Sequence, residues 1–265
     1  MNRKSFFALL LAGLLLLAGC GQKDSTSENS GDLLSRIKEK GEIVVAMEGT
    51  WSPWTYHDEN DQLVGYDVEV AQLIAEKLGV KATFVEGEFD GLLAGVEAGR
   101  YDIMVNGVGV DEDRSQKYDF SDAYAYDRTA VIVKNDNTDI TSLEDLEGKH
   151  TANTITSTYA KLAEEYGAEV TGVDDLNQTF ELLFSDRIDA PLNAEVSYYD
   201  YLKAHPDADI KIACLAPEAT LIAIPVPKGE TTLVSAINEA LAELHADGTL
   251  SELSVKYFGM DISKK

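Results

Sequence analysis

"YDVEVAQLIAEKLG" at residues 66–79, running straight into "KATFV" at 81–85, is the stretch whose reading decides the fold. Its apolar residues recur at helical spacing, Gly79 is a natural C-cap, and a short β-type run follows at once. "EIVVAM" (42–47) upstream reads as a strand, so the three pieces make a strand–helix–strand unit. Further along, "DGLLAGVEAG" (90–99) reads as a helix with Asp90 as its N-cap, and "YDIMVNG" (101–107) as a strand ending in glycine. Such alternation implies βαβ units and a mainly parallel sheet.

Beyond this first set, residues 119–134, "DFSDAYAYDRTAVIVK", are long, extended and without helical period. A second alternating set follows. "HTANT" (150–154), "AEVTGV" (168–173), "IDAPLN" (188–193) and "ADIKIA" (208–213) read as strands, and "STYAKLAEEYG" (157–167), "DLNQTFELLF" (175–184) and "AEVSYYDYLKAHP" (194–206) as helices. A second extended run, "TLIAIPV" (220–226), precedes two C-terminal helices. The expected fold class is therefore α/β, with two βαβ lobes joined by two extended hinge crossings near Ala125–Arg128 and Ala219–Ile224. The expected boundaries are 32–125 plus 222–265 for lobe 1 and 126–221 for lobe 2. Ligands of such sheets are expected in a cleft at the carboxyl ends of the strands.

The N-terminus is set apart from the fold. Residues 1–19 have a basic start (Arg3, Lys4), an apolar run from Phe6 to Ala18 and small residues ahead of Cys20, the pattern of a secretory signal peptide. "LAGC" (17–20) resembles the lipobox of bacterial lipoproteins, which marks Cys20 for lipidation. Residues 20–31 then read as the lipidated cysteine and a polar tether. Localisation is expected to be extracytoplasmic, anchored to the membrane by lipid. With Cys20 modified, Cys214 stands alone as a small apolar side chain. Histidines 57, 150, 205 and 245 lack metal-ligand spacing, so no metal and no cofactor are expected. With 47 acidic and 22 basic residues and a formal net charge of −25, nucleic acid is excluded as a partner. The excess charge reads as a solvated exterior and the protein as a monomer.

Against that acidic background, "NGVGVDEDR" (106–114) stands out. A planar guanidinium at Arg114 matches a carboxylate with paired N–H groups, and glycines 107 and 109 let the main chain approach closely. "TSTY" (156–159) falls at a strand-to-helix turn, where free N–H groups and the positive dipole end favour an anion; capping of the helix is the other reading of Ser157 and Thr158.

The order of elements and the motifs "GYDVEVAQLIAEKLGV", "FDGLLAGVEAGRYDIMVNGVGVDEDR", "YDFSDAY", "SLEDLEGK" and "DGTLSELSVKYFG" resemble the amino-acid-binding proteins of bacterial ABC importers, over about residues 36–262. The resemblance implies a two-lobed, type II periplasmic-binding-protein-like fold that closes about its hinge on an amino acid and delivers it to an ABC permease. It implies that Asn106, Gly107, Gly109 and Arg114 hold the ligand's carboxylate, with Thr156, Ser157 and Thr158 as the second contact. Trp51 in "EGTWSPW" and Phe89 match aromatic residues that pack on the ligand, Trp54 matches a structural aromatic, and Glu48 matches an acidic position that reaches the ligand. Cystine or another polar amino acid is the expected ligand.

One departure matters. The family usually holds the ligand's ammonium with an aspartate ending the strand, and in "IDAPLNAEV" (188–196) that position is Ala194. A hydroxyl residue that commonly assists is here Gly109. Burying an unpaired ammonium is costly, so Glu195, Glu48, the Gly107 carbonyl and Asn193 are the candidate acceptors, or the ligand is a carboxylic acid without an amino group. Glu195 has a bland role too, as a first-turn carboxylate favouring the helix dipole. Pro191 implies a strand start or edge. A second class, an enzyme resembling cyclohexadienyl dehydratases, would use Glu195 as a general acid in the closed cleft. A ligand-sensing module would need a fused membrane or kinase segment. No G-x-x-x-x-G-K-[ST] loop is present, so nucleotide hydrolysis is assigned elsewhere.

Overall fold

The computed structural model describes residues 31–265; the signal-peptide, Cys20 and most of the tether expectations lie outside them. Strand Glu42–Met47 is central, paired in parallel with Lys81–Glu86 on one side and with Ile103–Met104 on the other. Helix Tyr66–Leu78 connects the first two and ends at Gly79 in the left-handed conformation (φ 75°), whose N–H reaches the carbonyls of Ala75 and Glu76. The sheet and helix pack with the C-terminal helices Thr231–Ala246 and Thr249–Phe258 around a core that includes Ile43, Val45, Ile74, Ile237 and Leu241.

The second set builds a smaller parallel pair, His150–Asn153 with Glu169–Gly172, and an antiparallel sheet in which strand Ala125–Lys134 lies between Leu192–Ala194 and Ile210–Ile222. Its cores are drawn wholly from residues 130–216, among them Val131, Leu146, Phe180 and Leu192. Strands buried on both faces need near-continuous apolar runs, which is why "IVVAM" in the parallel sheet and "TAVIV" in the antiparallel one read so clearly.

The two extended crossings pair with one another. Ala125, Tyr126, Asp127 and Arg128 lie opposite Ile222, Leu221, Thr220 and Ala219 in antiparallel register. Two adjacent strands joining the two sets of elements form a two-strand hinge, beside which Ala194 and Val196 of the second set pack into the core of the first.

Two local expectations are corrected. Asp90 does not cap its helix, which runs Phe89–Glu97 behind Glu88 with no side-chain cap; its carboxylate instead accepts from Thr156 Oγ1 at 2.5 Å. The strand expected over 101–107 is shorter, Ile103–Met104, flanked by main-chain bonds from Asp102 to Val44 and from Val105 to Ala46, and Asn106 beyond it bonds Glu48. Pro191 precedes strand Leu192–Ala194 at the sheet edge, where its missing N–H breaks no ladder bond.

Candidate ligand-binding site

Glu48, Trp51, Phe89, Gly107, Gly109, Arg114, Ser157, Thr158 and Asn193 line one cavity between the two sets of elements. The cleft is closed across its mouth. Arg114 Nη2 donates to the Thr156 carbonyl at 2.7 Å, Lys161 Nζ to Asp113 at 2.6 Å, and Ser52 Oγ to Asp200 at 2.6 Å.

Arg114 belongs to the short helix Glu112–Lys117, which Asp111 caps by accepting the Arg114 N–H at 2.8 Å. That turn points the guanidinium inward, where it is buried, stacks over the Phe89 ring at 5.3 Å, and donates from Nη1 to the Gly109 carbonyl at 2.7 Å. Asp111 stays at the margin, 3.8 Å from Nε, so Arg114 is no surface ion pair. Burial lowers its pKa, which marks a desolvated cation that an anionic ligand would relieve.

The two glycines serve different close approaches. Gly107 has φ 54°, and a methyl group there would lie 2.6 Å from the Trp51 ring. On Gly109 it would lie 2.8 Å from Thr220 Cγ2 and 3.1 Å from Thr158 Cγ2. Trp51 in turn stacks on the fully buried Trp54 at 5.4 Å, so the wall is a rigid aromatic slab. Opposite it, Ser157 accepts the Ala160 N–H at 3.1 Å and so caps helix Thr158–Glu165 while also lining the cavity. Capping thus leaves that residue on the cavity wall.

Glu48 carries a clear electrostatic signature on the wall. Burial pushes its carboxyl up to about 7, with Asp175 and Asp90 adding to the rise, while Asn106 donates to its Oε2 at 2.6 Å and opposes it.

Three expected residues do not reach the cavity wall. Asn106 is fully buried with its amide spent on Glu48, accepting that residue's N–H at 2.7 Å. Thr156 offers its carbonyl to Arg114 and its hydroxyl to Asp90. Glu195 lies off the wall because Arg128 donates to it at 3.0 and 3.2 Å and Tyr199 adds its hydroxyl. Adjacent residues at a helix start diverge by about 100°, so Glu195 cannot take over from Ala194.

Sequence reasoning missed Asn153, Thr154, Tyr159, Asp175, Leu176 and Thr179, which complete the lining. Asp175 was visible as a helix start, and it does cap helix Leu176–Phe184 by accepting the Gln178 N–H. That this helix end faces the cleft is decided by packing alone.

Comparison with known proteins agrees with this geometry. Residues 43–260 match the family described as bacterial extracellular solute-binding proteins, family 3. The chain is 41% identical to the L-cystine-binding protein TcyA of Bacillus subtilis, over 99% of this chain and all of that one. Among solved structures, an ancestral arginine-binding protein bound to arginine is 36% identical, covers 83% of this chain and 99% of its own, and superposes with a TM-score of 0.77. The L-cystine solute receptor of Neisseria gonorrhoeae in its unliganded open conformation is 41% identical, over 89% of this chain and all of that one, yet superposes at only 0.61. Lower similarity at higher identity is what a different lobe arrangement produces, in keeping with the closed cleft seen here. The similar proteins are substrate-binding proteins of ABC transporters rather than enzymes. The chain belongs to the bacterial extracellular solute-binding proteins of family 3, with the two-lobed type II periplasmic-binding-protein fold, and serves as the non-enzymatic solute receptor of an ABC importer.

Proposed function

We propose that the cavity takes a zwitterionic amino acid, with cystine or another polar amino acid as the ligand class, and that lobe closure commits it to delivery to the permease. The carrying observation is a desolvated Arg114 guanidinium at one end of a closed cavity with the carboxyl groups of Glu48 and Asp175 on the remaining wall. A ligand bearing a carboxylate and at least one ammonium complements both. Names of relatives point the same way, since TcyA of B. subtilis and TcyJ of Escherichia coli are L-cystine-binding proteins. The lobes are residues 32–125 plus 222–265 and residues 126–221, closing about the paired crossings. The protein acts as a monomer, held outside the cytoplasm by lipid on Cys20, with residues 20–31 as tether.

A second reading, a carboxylic acid without an amino group, is favoured by one feature: helix Glu195–Ala204 starts at Ala194 with no side-chain cap, leaving no carboxylate at that point of the wall. A ligand panel decides between them. The protein is stripped of ligand by unfolding and refolding, then melted with the amino acids, with cystine, and with matched acids lacking the amino group. Ligand at about 100 times its Kd adds ~2.7 kcal/mol and raises Tm by several degrees. Shifts confined to amino acids support the zwitterion. Equal shifts by the deaminated acids sink it.

A further inference from the structure

We propose that Asp127, on the first hinge crossing, supplies the negative charge that balances the ligand's α-ammonium; this rests on the amino-acid reading above. The placement starts from register. Asp127 lies directly opposite Thr220 across the paired crossings, and side chains of directly opposed residues share a face of the sheet. Thr220 turns its Cγ2 toward Gly109, close enough to meet a methyl group there at 2.8 Å, and Thr158 abuts the same point. Gly109 and Thr158 are cavity wall. The face of the hinge that carries Asp127 therefore lies beneath the Gly109 and Thr158 side of the cavity, behind its wall residues.

Asp127 itself is only 6% exposed and forms no ion pair among the described residues. Its neighbour Arg128 is spent on Glu195, on the other face. Main-chain N–H groups of Glu195 and Val196 face the Asp127 carboxyl, so it stands where a side chain at Ala194 would otherwise cap the helix. Burial, with the Glu195 charge adding, pushes its carboxyl up to about 7, the condition of an acid that lacks a cation. Tyr159, a wall residue, has its phenol pushed up by burial and by the Asp127 charge, so Asp127 acts on a side chain of the cavity wall.

Stereochemistry separates Asp127 from the other acids. The α-ammonium and α-carboxylate of an amino acid share one carbon, so with the carboxylate on Arg114 the ammonium stays at the Gly109 end. Glu48 and Asp175 face the opposite way as well, lining a second, outer cavity with Glu88 and Asp174. They suit a distal group of the ligand, and Asp127 suits the α-ammonium.

The test measures affinity by calorimetry for three pairs: L-cystine and dithiodipropionate, L-arginine and guanidinovalerate, L-glutamine and glutaramate. Each second member lacks only the α-amino groups. Wild type, Asp127→Asn, Asp127→Ser and Glu48→Gln are compared, with melts to establish folding; Asn and Ser both keep an acceptor for the helix N-terminus. The expected result is a wild-type preference for the amino acid of at least ~30-fold, the lower end for losing one partner of a buried charge pair, falling to about threefold or less in the folded Asp127 variant. An unchanged preference in a folded Asp127 variant overturns the proposal, as does a preference lost in Glu48→Gln alone. Wild type binding both members equally shows there is no ammonium pocket and overturns it too. If wild type binds none of the three amino acids, the amino-acid reading falls and takes this one with it.

Discussion

At the scale of single residues, Arg114 shows how much of a site one side chain can carry. Its guanidinium holds Gly109 and Thr156 carbonyls and stacks on Phe89, so it touches both lobes and the ligand cavity at once. Lysine at this position would keep the charge and lose the paired, planar donors. Arg114→Lys is therefore expected to weaken binding of the ligand by ~2 kcal/mol or more, read by calorimetry, while the melt of the empty protein shifts little. Asp67 teaches a different lesson. It is fully buried, accepts from Tyr124 Oη at 2.8 Å, leaves its Oδ2 without a partner, and burial pushes its carboxyl up to about 7. With the folded pKa above the unfolded one, the native state binds the extra proton between about pH 4 and 7. Its contribution is thus complete below the unfolded pKa and is lost as pH rises through 7. Denaturant melts of wild type should show stability falling over that window, and Asp67→Asn should flatten the slope by up to ~1.4 kcal/mol per pH unit. An unaltered slope would mean Asp67 is ionised in the fold.

Elements set which residues can meet, and the site is assembled from element ends. The glycine-rich segment before helix Glu112–Lys117, the N-terminus of Thr158–Glu165 and the N-terminus of Leu176–Phe184 converge on one cavity. Asp175 holds two roles there, cap and wall. Asp175→Ala should cost about 1 kcal/mol of stability through the lost cap, and should also weaken any ligand with a distal cation; a loss of stability without loss of affinity would confine Asp175 to capping. Gly109 gives a sharper separation. A methyl group on it meets Thr158 across the cleft and Thr220 on the hinge. Contact with Thr158 exists only when the lobes are together, so Gly109→Ala should weaken binding at least tenfold while lowering the empty protein's Tm far less. Equal loss of both would place the strain within one lobe.

For the whole molecule, the relevant quantity is the balance between open and closed lobes. Hydrogen bonds bridge the cleft from Arg114 to Thr156, Thr156 to Asp90, Ser52 to Asp200 and Lys161 to Asp113, and the last, an exposed ion pair, contributes only ~0–1 kcal/mol. A ligand that contacts both lobes shifts the population toward the closed state by its differential affinity for that state. Small-angle scattering should show the radius of gyration of the stripped protein decreasing when a binding amino acid is added. No change on saturation would mean the empty protein is already closed. The high negative charge acts at this scale too: surface carboxylates repel an anionic solute, and the enclosed guanidinium reverses the sign inside the cavity.

The sequence by itself determined the elements and the hinge. Helical period in "YDVEVAQLIAEKLG", apolar strand runs and cap residues are local properties, set by side-chain spacing and main-chain sterics, so they are legible one segment at a time. The same locality explains the errors: Asp90 has the chemistry of a cap, but the helix starts earlier, at Phe89, and leaves Asp90 inside the first turn. Glycines 107 and 109 with Arg114 were legible because carboxylate recognition needs close main chain and a planar cation within one short segment. Tertiary structure alone decided the rest. Asp175, Tyr159 and Asn153 reach the wall, and Glu195 turns away to Arg128, through contacts between segments distant in sequence. Asp127 is set opposite Thr220, 93 positions further along the chain, by the pairing of the crossings. Burial and field at a position depend on everything packed around it, and no stretch of sequence carries that sum.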